Sequence, residues 1–245
     1  MPRLPPLTVN AWLRNDLISR LLLELDDVES VLEIGAGEGA LGVRLASRYR
    51  YVGLERDARS FQRAAARFER AEVESIVHGG LSALAPDQTF DLIAAFEVLE
   101  HYEDDRAELE NWLRHLRSRG WLILSVPAFA NRFGPWDRKV GHYRRYERRQ
   151  LADTLARAGL EPRSIQAYGF PLGNALERAR DAAASFSKAR GTYDVRTDES
   201  GRCLQPPEYL GWLTHSISLP GRVLQRSFFE SERGTGFVAA AQKMT

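Results

Sequence analysis

A chain of 245 residues carries 34 lysines and arginines against 33 aspartates and glutamates, so no overall field draws it to nucleic acid. Its single cysteine, Cys203, excludes an intramolecular disulfide and any cysteine-based metal cluster. No apolar run approaches the ~20 residues of a bilayer span and the N-terminus lacks a signal peptide's apolar core, so a cytoplasmic protein is the expectation.

Residues 1–9 read as an irregular arm. From Ala11 to Leu25, leucines 13, 17, 21 and 25 recur every fourth position and predict a helix. The apolar run Val31-Leu32-Glu33-Ile34 then meets Gly35-Ala36-Gly37-Glu38-Gly39, which predicts a strand, a tight turn and a helix start. Glycines turn the backbone through conformations that a Cβ forbids and leave the turn bare of side chains. A helix opening there offers unpaired N–H groups to a nucleotide-like ligand.

Leu41, Leu45 and Ala46 give that helix a buried face, and Tyr51–Leu54 forms the second strand. A helix over Ala58–Arg70, a strand over Val73–Val77 and a strand over Phe90–Ala95 follow. This alternation implies a doubly wound parallel sheet with right-handed crossovers. Glu103, Asp104 and Asp105 open a predicted helix that Arg114, His115, Arg117 and Arg119 close, complementing its dipole, with Gly120 as the stop before strand Trp121–Val126. Glu147–Ala158 reads as a helix ended by Gly159, Arg163–Tyr168 as a strand, and Phe237–Ala241 as the last strand.

About 65 residues separate those last two strands, far beyond a hairpin loop, so an insertion lies between them. Over 172–234, Leu172, Leu176, Ala179, Ala183 and Phe186 make one apolar stripe, with Arg178, Arg180 and Lys188 away from it. Gly191–Arg202 is polar, and Leu210, Trp212, Leu213 and Ile217 make a second apolar face ended by Pro220. A helical lid over an acceptor site is the expected use. A membrane-surface segment, a larger core and a homodimer contact are its competitors.

Two cofactor readings fit the glycine turn. Gly35, Gly37 and Ala40 satisfy the loose dinucleotide fingerprint, and Glu55 lies at about the ~20-residue spacing of a ribose-binding acid. Glu33 and Glu38, however, would repel a pyrophosphate and would attract the ammonium and sulfonium of S-adenosylmethionine.

Four stretches in order resemble the class I S-adenosylmethionine-dependent methyltransferases: Glu33-Ile34-Gly35-Ala36-Gly37-Glu38-Gly39; Tyr51-Val52-Gly53-Leu54-Glu55; Phe90 to His101, similar to the FD...EVLEH signature of ubiquinone-biosynthesis enzymes; and Leu116 to Pro127. Gly141-His142-Tyr143-Arg144-Arg145-Tyr146 resembles a GHxRRY segment of a bacterial subset. The resemblance implies a Rossmann-like α/β fold with a mostly parallel seven-stranded sheet ending in an antiparallel pair. Its domains would be an arm and cap helix over 1–29, a methyltransferase core over 30–171, the insertion over 172–234 and the last strand over 235–245.

It also implies the site. S-adenosylmethionine would be held by Glu33, Gly35, Ala36, Gly37, Glu55 and Arg56, with adenine against the backbone of Gly80 and Leu81, because Gly80 stands where the family's usual aspartate would be. Phe96 would lie near the sulfur. His101 and His142 are the candidate bases for a small-molecule acceptor at oxygen, Tyr143 and Arg144 its candidate binding residues, and no metal is expected. An amine acceptor, an NAD-dependent oxidoreductase and a non-catalytic cofactor-binding protein are the alternatives.

Overall fold

In a computed structural model, residues 4–73, 75–189, 207 and 211–244 are described. The first half alternates as expected: α1 (Val9–Leu22), β1 (Ser30–Ile34), α2 (Gly42–Ala46), β2 (Arg50–Glu55), α3 (Ala58–Arg70), β3 (Ile76–His78), β4 (Phe90–Phe96) and α4 (Asp105–Leu113). The second half is β5 (Leu116–Pro127), α5 (Pro135–Val140), α6 (Arg148–Arg157), β6 (Leu160–Tyr168), α7 (Leu172–Ala189), α8 (Gly211–Gln225) and β7 (Gly236–Lys243).

The seven strands lie in the order β3-β2-β1-β4-β5-β7-β6. β1 to β5 pair in parallel, and β7 runs antiparallel between β5 and β6. Side chains alternate across this sheet. Ile93 and Ala95 of β4 join Leu122, Leu124 and Phe237 in the layer under α4 and α6, whereas Leu92, Ala94 and Phe96 join Ile123, Val238 and the leucines of α1 on the other face. Because β1 leads to β2 on one side and β4 lies on its other, a crevice opens at the C-terminal ends of β1 and β4.

The helix expected over Glu103–Arg119 ends at Leu113, and β5 begins at Leu116. Leu116 pairs with Phe90, the ladder then slips at a bulge, and Arg119 turns through a left-handed φ of 59°. Gly120 is therefore a close-packing residue and not a helix stop: a Cβ there would meet the carbonyl oxygens of Arg117 at 2.9 Å and Asp91 at 3.0 Å. Arg117 pairs with Asp91 across this bulge and does not complement a helix end.

The insertion departs further. Ala179, Ala183 and Phe186 of the expected apolar stripe are exposed, and α7 buries Gly173, Glu177 and Ala184 instead. In α8, Trp212 is 67% and Ile217 53% exposed, while Ser218, Gly221 and Gln225 face inward. Gln225 explains the reversal. Its Nε2 donates to Leu13 O and its Oε1 accepts from Gly169 N, both at 2.9 Å, so a buried amide stitches α8 to α1 and to the end of β6. Pro220 accordingly lies inside α8; the anchoring at Gly221 and Gln225 offsets the roughly 3 kcal/mol that a mid-helix proline costs. The polar stretch Gly191–Arg202 and Leu210 lie outside the described residues.

Candidate functional site

One cavity of about 1340 Å³ runs along the C-terminal edge of the sheet. Its cofactor end is built from the turn after β1. Gly35, Gly37 and Gly39 have φ of 71°, 57° and 76°, values that side chains disfavour. A Cβ on Gly35 would strike Val98 at 2.7 Å, whereas one on Gly37 would point into the open space of the cavity. The turn therefore leaves room for an extended ligand lying directly against the backbone.

The amides of this turn are engaged within the protein. Gly35 N and Ala36 N donate to Leu54 O, Gly39 N to Ala36 O, and Gly37 N to Glu55 Oε2 at 2.7 Å. They leave little for a pyrophosphate, which a dinucleotide site binds through free turn amides. The charge argument that disfavoured a dinucleotide, by contrast, does not survive. Burial pushes the Glu33 carboxyl up to about 8, against the opposing effects of the Tyr51 hydroxyl, which donates to it at 2.5 Å, and of Arg14. Glu38 is paired with Arg63 at 2.5 Å and Arg67 at 3.2 Å. Neither acid presents a free negative charge to the ligand.

Glu55 ends β2 on the cavity wall and accepts from Asp57 N at 2.7 Å through its second oxygen, which fixes the carboxylate toward the cavity and leaves lone pairs for ribose hydroxyls. Arg56 lies against Gly80, close enough that a Cβ there would meet its Nε at 2.7 Å. Ala36, Gly80, Leu81 and Phe96 also line this end.

The opposite end is crowded with ionisable groups. Glu97 has a left-handed φ of 59° directly after β4, and its Oε1 accepts from Ser125 Oγ at 2.9 Å and Tyr168 OH at 3.2 Å and pairs with Arg14 at 3.4 Å. His101 and His142 meet edge to face, with ring centroids 4.7 Å apart. Burial, reinforced by His142, lowers the His101 imidazole to about 4, so it is neutral at physiological pH. His142 Nδ1 lies 2.9 Å from Asp137 Oδ1, which assigns the proton to Nδ1 and turns Nε2 toward Glu100 at 3.7 Å. Glu100 is fully buried; burial first, then the charges of Glu97 and Asp137, push its carboxyl well above the usual range.

The GHxRRY segment divides its work. Arg145, 2% exposed, grips both Asp137 oxygens (2.7–2.9 Å) and Glu177 at 2.5 Å. Tyr146 OH donates to Asp105 at 2.8 Å. Tyr143, 56% exposed, and Arg144, which pairs with Asp105 and the Glu103 carbonyl, stand off the cavity wall and are displaced as acceptor contacts. Arg144 and Arg145 both precede α6, which opens at Arg148. All the other expected site residues line the one cavity. Arg14, Glu97, Asp137, Tyr168, Glu177 and Arg180 join them without having been assigned from the sequence. Asp137 lies five residues before His142, a spacing that a short intervening helix turns into a contact, and this was the one available signal.

A glycine turn leaving a parallel strand and an acid ending the next strand are the arrangement of a nucleoside-binding α/β domain. Residues 10–165 match the methyltransferase domain family, and the chain belongs to that family. It is 31% identical over 158 residues to a probable S-adenosylmethionine-dependent methyltransferase of Mycolicibacterium smegmatis, covering 62% of this chain and 60% of that one. The chain spans between 43% and 60% of the length of the curated relatives it matches. Among solved structures, a putative methyltransferase from Bacillus halodurans shares the fold, with TM-score 0.62 and 16% identity over 95% of this chain and all of that one. The N-methyltransferase NodS of Bradyrhizobium japonicum, solved with S-adenosyl-L-homocysteine, shares 25% identity with TM-score 0.54 over 65% of this chain and 80% of its own. S-adenosylmethionine is the cofactor this site is built for, and Glu55 and the bare Gly37 backbone fit it. No helix among the described residues is long and apolar enough to cross a membrane.

Proposed function

We propose that the protein transfers the methyl group of S-adenosylmethionine to an oxygen of a small molecule bound at the Glu97–His142 end of the cavity. The observation that carries this reading is the convergence of His101 and His142 on the cavity wall, with Asp137 fixing the orientation of His142. S-adenosylmethionine brings an already activated methyl group, so the chain's task is to align the acceptor, exclude water and favour loss of the acceptor's proton. The histidine corner serves that last need.

Leu176, Glu177 and Arg180 of α7, Thr214 of α8 and Asn10 and Arg14 of α1 line the same cavity. The insertion therefore acts as a lid that shapes acceptor choice, over a core of residues 30–171 and β7. The name of NodS makes amine acceptors the competing class. A screen of matched hydroxyl and amino compounds, read as release of S-adenosylhomocysteine, separates the two. Turnover confined to hydroxyl compounds supports the proposal, and turnover confined to amines overturns it.

A further inference from the structure

We propose that Glu100, His101 and His142 form a binding site for one divalent transition-metal ion at the acceptor end of the cavity. The site deepens the function proposed above, and only its catalytic consequence rests on that reading.

One ligand atom from each of the three residues lies within 4.8 Å of the other two, and Glu100 Oε1 and His142 Nε2 are 3.7 Å apart. A cation at the usual ~2.0–2.2 Å from nitrogen and carboxylate oxygen would need these side chains to close in by about half an ångström. Two of the three residues carry buried polar atoms without a hydrogen-bond partner. Glu100 is fully buried, yet neither carboxylate oxygen has a hydrogen-bond partner, and His101 Nδ1 is likewise buried and unpartnered. Polar atoms removed from water without a partner are costly, and an ion held between the three residues would supply what the buried carboxylate lacks. A direct Glu100–His142 hydrogen bond does not fill this need, since 3.7 Å is too long for one.

The surroundings are those of a metal site. Asp137 accepts the hydrogen bond of His142 Nδ1–H and leaves Nε2 free to ligate, and Arg145 holds Asp137 in turn. A carboxylate behind a ligating imidazole is the usual means of fixing its tautomer and direction. Glu97 and Asp137 add negative charge, with Arg14 already paired to Glu97. His101 and His142 line the cavity, which gives the ion its entry path. Two imidazoles and one carboxylate suit zinc, cobalt, manganese or iron better than magnesium or calcium and leave coordination positions open. A hydroxyl oxygen placed at an open position would give its proton to water nearer neutral pH, so the histidine corner would favour loss of the acceptor's proton through the ion that it holds. The absence of a cysteine cluster bears on none of this.

The test is a titration of the chelator-treated full chain with Zn²⁺, Co²⁺ and Mn²⁺, by calorimetry and by equilibrium dialysis. The expected result is one ion per chain for at least one metal, with affinity lowered 100-fold or more in Glu100→Gln and in His142→Ala. Asp137→Asn should lower it 10- to 100-fold, and His78→Ala should leave it unchanged. Retained S-adenosylhomocysteine binding certifies that each variant folds. Failure of all three metals to bind stoichiometrically, or equal affinity in Glu100→Gln and His142→Ala, overturns the site. Methyl transfer that persists in excess chelator, with no metal bound, overturns the ion's part in the reaction and leaves the transferase reading intact. Metal binding without turnover of any hydroxyl compound does the reverse.

Discussion

Asp137 and His142 are five residues apart in sequence and meet through Oδ1 and Nδ1 at 2.9 Å, across the short helix α5 and its left-handed terminal residue Gly141. The contact fixes one imidazole nitrogen and aims the other at the acceptor end. His142→Ala should therefore lower turnover about 100-fold or more while S-adenosylhomocysteine affinity stays within twofold. Asp137→Asn should lower turnover less, with cofactor affinity again unchanged. Steady-state kinetics beside calorimetry checks both, and wild-type turnover in His142→Ala would remove the histidine from the reaction.

Arg145 neutralises Asp137 and Glu177 in a place with almost no solvent. Burial alone would raise the Asp137 carboxyl, but hydrogen bonds from His142 and Arg145 and the charge of Arg145 hold it well below the usual range. Removing one member of a buried pair leaves the other uncompensated, so Arg145→Ala should cost about 3–5 kcal/mol. Urea denaturation should show this loss. A cost below 1 kcal/mol would mean that water reaches the carboxylates.

Glu33 titrates in the opposite sense. Its folded value of about 8 lies above the ordinary 4.5, so the folded state holds the proton more tightly than the unfolded chain does. The resulting stability is complete below about pH 4.5 and is lost as pH rises toward 8. Glu33→Gln, which can still accept from Tyr51, should remove this slope and gain on wild type by roughly 1 kcal/mol per pH unit between pH 6 and 8. Denaturation curves at those two pH values measure it, and parallel wild-type and variant stabilities would contradict a buried neutral acid.

If α7 shapes acceptor choice, Leu176→Ala should change acceptor KM several-fold or switch the preferred acceptor, with cofactor affinity untouched. Deleting residues 172–234 would be a poorer test, because Gln225 anchors α8 to the Leu13 carbonyl and its loss exposes α1. An unchanged acceptor profile in Leu176→Ala would reduce the insertion to a structural role.

Much of the core was legible because its signals are local. The period-2 strands, the leucines of α1 and the three glycines after β1 each declare themselves within a few residues; Glu33 and Glu55 stand beside them, whereas Phe96, His101 and His142 came from the family resemblance, and all five line the cavity. What failed depended on tertiary contacts. The basic run from Arg114 to Arg119 reads as a helix end until Phe90 and Asp91 draw it into a strand. The apolar stripes of α7 and α8 read as buried faces, yet a stitched glutamine and an ion-paired Glu177 decide which side faces inward. Likewise Arg180 reads as a cation away from the apolar stripe, because nothing within α7 reveals a charged cavity beside it, and nothing within α1 singles out Arg14.

Binding of the cofactor's ribose by Glu55 is tested most directly by calorimetric titration of S-adenosylhomocysteine into wild type and Glu55→Ala. Loss of hydrogen bonds to an ionised acceptor should cost about 1.5–3 kcal/mol, so micromolar binding by wild type should weaken about ten- to a hundredfold in the variant. Equal affinity in a folded Glu55→Ala protein, or no binding by wild type, would contradict it.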